Sequence, residues 1–182
     1  MNGLAFARVL HVVGVVIWIG GLSIVTTALL PAIRRGELGG NWLAAFRAVE
    51  RRFVWQARIA MLVVGATGFY MIEAADLWDR FSSVAYWWMH AMVGVWAIFA
   101  IGVFVVEPLF LDRRLPALAA RRPAATFAWM AVAHWLLLTL SLITVFGAVA
   151  GSHGWLIFCR STLGAGKSVP HRKISEFRSG EE

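Results

Sequence analysis

The sequence predicts an all-α integral membrane protein, a four-transmembrane-helix bundle, and three observations carry that prediction. Hydrophobic residues make up 60% of the 182-residue chain and the mean hydropathy is +0.72, whereas a soluble domain is about half apolar with a quarter of its residues charged. The apolar residues gather into four runs, roughly 4–30, 53–73, 84–111 and 125–158. Each reaches the ~20 residues that cross a hydrocarbon core. The ten tryptophans lie mostly near the ends of these runs. Trp78, Trp87, Trp88 and Trp155 form a belt on one side of the bilayer and Trp42, Trp55 and Trp129 on the other.

The first run, Leu4 to Leu30, contains His11, with Gly14 and Trp18 on the same helical face at i+3 and i+7. It is longer than the apolar segment of a secretory signal and no small-residue cleavage site follows, so it reads as a retained helix. Gly39-Gly40-Asn41 then reads as a break and an N-cap. After it Trp42, Phe46, Val49 and Phe53 recur at helical spacing opposite Arg47, Glu50 and Arg51. That pattern predicts an interfacial amphipathic helix running into the second span. An acidic connection, Glu73 to Ser83, leads to the third span. A basic connection with Arg113, Arg114, Arg121 and Arg122 around Pro116 leads to the fourth. Residues 1–160 form the transmembrane domain, and 161–182, rich in Gly, Ser and charge without an apolar period, read as a flexible tail.

Four spans place both termini on one side. The other side holds Arg34, Arg35, Arg47, Arg51, Arg52, Arg113, Arg114, Arg121 and Arg122, which the positive-inside rule assigns to the cytoplasm. The expectation is a multi-pass protein of a bacterial-type inner membrane with periplasmic termini, although the basic tail (Arg160, Lys167, Arg172, Lys173, Arg178) pulls the other way. The net charge of +7 sits in loops and tail rather than on one face, which fits topology and lipid headgroups, not nucleic acid. The one cysteine, Cys159, leaves no disulfide framework and no covalent haem-attachment motif, so any haem is held non-covalently.

The first and third spans share a pattern. His11-x-x-Gly14 heads one, which ends Pro31-x-x-Arg34-Arg35; His90-x-x-x-Gly94 heads the other, which ends Pro108-x-x-x-x-Arg113-Arg114. Phe53-Val-Trp55-Gln-Ala57 and Phe127-Ala-Trp129-Met-Ala131 open the second and fourth. This is either a duplicated helical hairpin or the chance matching of apolar sequences. Read as a duplication, it puts His11 and His90 at one depth on parallel helices, with Gly65, Gly68, Gly147, Gly151 and His153 in the same layer of the antiparallel ones. Two neutral imidazoles on facing helices, with glycines beside them, are what a bis-histidine b-type haem requires. For each histidine alone a helix-bridging hydrogen bond is an equal alternative.

His153 reads as a third ligand choice, a proton carrier or an interfacial residue, and His134, in the opposite half, as a packing residue. Arg58 and Glu107 enter the membrane on the basic side and are expected to neutralise each other, either as interfacial charges or as an ion pair near a quinone or proton path. Met89-His90-x-Met92 offers soft ligands for copper(I).

His11 followed by Trp18-Ile-Gly20-Gly21, with Arg58 leading to Thr67-Gly68 in the second helix, resembles the membrane domain of CopD-like proteins and, more distantly, HemJ-type protoporphyrinogen oxidases, over about residues 4–150. The resemblance implies a membrane bundle of four or more helices, copper handling or haem-dependent oxidation, and a haem or metal ligand at His11. HemJ-type proteins use a membrane lysine, whereas the lysines here are Lys167 and Lys173 in the tail, and His90 stands as the polar residue of the third helix. Three functions follow. One is a b-type cytochrome, an oxidoreductase component passing electrons between quinone and a periplasmic cytochrome or copper protein. The second is a copper(I) transport or handling protein. The third is a non-catalytic anchor subunit of a larger respiratory complex.

Overall fold

A computed structural model describes residues 3–39 and 41–154. Four helices in it are long and apolar enough to cross a membrane: Gly3–Arg34, Trp42–Ala74, Val84–Phe110 and Pro123–Ser152. Among the described residues there is no strand. At ~1.5 Å per residue these helices reach about 40–50 Å, more than the ~30 Å hydrocarbon core, so their ends extend into the headgroup layers. The spans pack in chain order as a ring, first on second, second on third, third on fourth and fourth on first.

The first and second spans make the most extensive contact. Glycine sets their separation: a Cβ on Gly14 would stand 2.8 Å from Val64 Cγ2 and 3.4 Å from the Ala60 carbonyl, and one on Gly21 would collide with the Phe53 ring. Small residues admit such close approach where no hydrophobic effect drives helices together.

The core lies in two layers. In the middle of the bundle Trp18, Leu22, Ala60, Met61, Val64, Val95, Phe99 and Leu138 bring all four spans together, with Trp18 edge-on to Phe99 at 4.7 Å between centroids. Toward the arginine-rich end Val25, Leu30, Ile33, Phe46 and Met130 pack with Leu115. Leu115 belongs to a short helix, Asp112–Arg121, in what the sequence reading treats as a plain connection. It buries Leu115 and Ala119, one turn apart, and exposes Arg113, Arg114 and Arg121. The outer surface is aliphatic, with Val16, Ile24, Leu62 and Leu136 all more than 60% exposed, a surface suited to lipid.

The boundaries follow local chemistry. Asn41 caps the second helix, its Oδ1 accepting from the Ala44 N–H at 3.1 Å. The amphipathic segment expected ahead of the second span is the start of one continuous helix, Trp42–Ala74. The fourth helix ends at Ser152, where Gly154 turns into the left-handed region at φ +82° directly after the His153 cap. Residues 155–158, Cys159 and the tail expected to be flexible lie outside the described residues. In the first loop Arg35 and Glu37 pair across Gly36, holding the Glu37 carboxyl below and the Arg35 guanidinium above their ordinary values.

Two spans leave the α register. The first contains a π-helical stretch, Val25–Leu29, just before Pro31, and the third a longer one, Gly102–Leu111, around Pro108. A proline ring inside an α-helix clashes with the carbonyl four residues back, and a wider turn relieves that clash. The two spans that share the His…Pro…Arg-Arg pattern thus also share this distortion at the proline end.

Candidate functional site

Two polar side-chain contacts join neighbouring spans at different levels. At the terminal end, His11 of the first span reaches the second. Its Nδ1 lies 3.1 Å from the Val64 carbonyl and 3.1 Å from Thr67 Oγ1. The Thr67 hydroxyl donates to the carbonyl of Val63 at 2.6 Å, so the oxygen it turns toward His11 is an acceptor. Facing two acceptors, Nδ1 carries the ring proton in the neutral imidazole, and Nε2 holds the lone pair. His11 is therefore the helix-bridging donor that was one of the two readings of a lone membrane histidine. A ring nitrogen held in this way is also how a metal-ligating histidine is oriented.

Gly68 makes the bridge possible. In a helix the Cβ leans back over the preceding turn, and one on Gly68 would stand 3.3 Å from His11 Cε1, beside the carbonyl of Val64 four residues earlier. Gly65 does the same for the third span: the Trp96 indole fills its notch, 2.8 Å from where a Cβ would be, and donates Nε1–H to the Met61 carbonyl, again four residues back, at 2.9 Å. The notches at Gly14, Gly65 and Gly68, expected to clear space for a flat ligand, hold Val64, Trp96 and His11. Gly147 and Gly151 of the fourth span similarly receive Trp87 and Trp88.

His90 is exposed on the third span, its ring edge-on to Phe81 at 5.2 Å, and Gly94 one turn later has open space beside it. No hydrogen bond or ring contact joins His11 to His90 among the described residues. Of the Met89-His90-x-Met92 cluster, Met89 is buried, Met92 half-buried and His90 exposed. His153 is exposed at the end of the fourth helix, its Nδ1 2.8 Å from the Val149 carbonyl of its own last turn. His134 bonds its own helix through the Met130 carbonyl at 2.9 Å and stands edge-on to Phe46 of the second span, the packing role expected of it. Among the described residues no group of three or more His, Cys, Asp or Glu side chains could hold a metal ion.

At the arginine-rich end Arg58 of the second span pairs with Glu107 of the third, Nη2 to Oε2 at 2.8 Å, the mutual neutralisation expected of these two charges. The same Nη2 donates to the Val103 carbonyl at 3.3 Å. In a π turn the partner of that carbonyl is the N–H five residues on, at position 108, where proline has none. Arg58 supplies the missing donor from the neighbouring helix. Its Nε–H is buried without an acceptor. The pair borders a cleft of about 460 Å³ lined by Arg51, Val54, Trp55, Arg58, Glu107 and Pro108. Sequence reading finds the two charges because charge is rare in a membrane span. It misses the cleft and the Val103 carbonyl, for which Pro108 is the one signal.

No protein family matches the chain, and neither a curated protein nor a solved structure matches it.

Proposed function

We propose that the protein is a membrane-embedded electron carrier that holds haem b non-covalently through His11, with His90 as the second axial imidazole, and that connects the quinone pool to an extracytoplasmic redox partner. The observation that carries this reading is the held Nδ1 of His11, which leaves Nε2 as the lone-pair nitrogen an axial ligand needs. The fit is confined to His11, since His90 is exposed beside Phe81. Gly65 and Gly68 are filled by Trp96 and His11, so the interhelical notches do not receive the macrocycle, and the free space lies at the surface beside Gly94. Bound haem would supply one-electron chemistry at a potential tuned by its axial ligands. The chain's own part is to fix the His11 tautomer and to keep that nitrogen in an apolar layer. The loop arginines support an inner-membrane orientation with the His11 end outside the cytoplasm.

The test is the absorption spectrum of protein expressed with ample haem. A sharp Soret band with split visible bands on reduction is expected, abolished by His11→Ala, reduced to a five-coordinate spectrum by His90→Ala and unchanged by His134→Ala. Absence of a Soret band and of a pyridine-haemochrome signal overturns the reading. Reporter fusions after Arg35 and after Arg122 should both report cytoplasm; two periplasmic signals invert the orientation.

A further inference from the structure

We infer that the cleft bordered by Arg58 and Glu107 binds the headgroup of an isoprenoid quinone or quinol. The inference deepens the electron-carrier reading by assigning the quinone a place, and the binding itself does not require haem. The cleft lies between membrane spans at their arginine-rich end, where a lipid-soluble ring with polar oxygens would come to rest. Its volume, about 460 Å³, is in the range of ~300–1,000 Å³ typical of small-molecule sites.

The ion pair matches that ligand. A quinone oxygen accepts from a guanidinium, and a quinol hydroxyl donates to a carboxylate; Arg58 and Glu107 present one of each, side by side. The charges of the pair cancel and Glu107 repels an anionic headgroup directly, while Arg51 leaves the lining as a whole one positive charge, so an anionic lipid is the competitor the experiment must separate. Arg51, exposed, is a second cation in the lining, and the rest of the wall is apolar or aromatic. Trp55, 64% exposed, supplies an indole face for a planar ring, with Val54 and Pro108 beside it. Nη2 is the nitrogen that bonds Glu107 and Val103, and a guanidinium carries five N–H donors in all. A second cleft, lined by Gly21, Val49, Arg52 and Gln56 among others, has no carboxylate and no indole.

The experiment uses the full chain in phosphatidylcholine nanodiscs, illuminated with a short-chain azidoquinone and mapped by mass spectrometry. Labelling should fall within residues 51–58 and 103–108 and be suppressed by excess decylubiquinone but not by phosphatidylglycerol. Labelling spread over other spans, or unaffected by decylubiquinone, overturns the inference. Suppression by phosphatidylglycerol alone also overturns it, in favour of an anionic lipid headgroup. Replacing both charges by amides, R58Q with E107Q, should weaken decylubiquinone binding about tenfold, the loss of a charge-assisted hydrogen bond. Trp55→Ala removes an exposed ring on which the fold does not depend, and should weaken binding as well even if the amide pair folds poorly. If neither variant changes the affinity, the cleft is not the site. His11→Ala should retain the labelling, so a failure of the haem reading and a failure of this one are seen separately.

Discussion

His11 and Arg58 do the same thing at two levels of the second span, and they do it differently. Each joins the second span to a neighbouring helix through a main-chain carbonyl, Val64 for His11 and Val103 for Arg58. At the His11 end the carbonyl keeps its helical partner and is merely uncovered, because Gly68 has no Cβ over it. At the Arg58 end the carbonyl has lost its helical partner to Pro108, and the side chain replaces it. The first arrangement is neutral and closed by the neighbouring helix. The second is charged and open to a cleft. Glycine thus adds a bond to an intact helix, whereas proline creates a debt that a neighbouring helix must meet, and the two should respond unequally to mutation.

The largest effect is expected at the charged end. Glu107→Ala leaves Arg58 without its counter-charge and should lower stability by about 3 kcal/mol, the low end for a broken buried pair because both side chains are partly exposed. Unfolding of the purified protein in detergent measures it. Glu107→Gln, whose amide oxygen still accepts, should lose less; equal losses would mean that the charge itself contributes nothing.

At the neutral end the glycines should rank by the space they leave. Gly65→Ala meets the Trp96 ring at 2.8 Å and should cost about 1–3 kcal/mol. Gly68→Ala meets His11 at 3.3 Å and should cost about 1 kcal/mol, as the imidazole shifts off the Val64 carbonyl. A reversed order would show that the His11 bond, not packing against Trp96, dominates that end.

The smallest effect is expected where an indole has nothing to bond. Trp18 Nε1–H is buried without a partner, whereas that of Trp96 has the Met61 carbonyl. Trp18→Phe trades lost volume against relief of an unsatisfied donor and should change stability by no more than about 1 kcal/mol, less than Trp96→Phe. The same unfolding midpoints decide it.

The four spans were legible because lipid demands long apolar runs, and Asn41 was legible because capping is local chemistry. The Arg58–Glu107 pair was legible because two opposite charges in one layer of a membrane have few alternatives to each other. What fills the glycine notches was not, since that depends on which helix lies alongside and at what register: Trp96 and His11 take the places that sequence spacing left open for a ligand. The helix Asp112–Arg121 was obscured by its length and by Pro116, which reads as a turn until Leu115 is seen to pack with Met130 and the first span.

The Val103 carbonyl bears on how the chain is made. A third span entering the bilayer by itself would carry an unsatisfied carbonyl and a lone carboxylate into hydrocarbon, and a second span by itself would carry a lone guanidinium. Each is a poor solute in lipid, and together they are a tolerable one. Biogenesis therefore favours release of these two helices from the insertion machinery as a preformed hairpin, with residues 75–83 between them short enough to bring Arg58 against Pro108 at once.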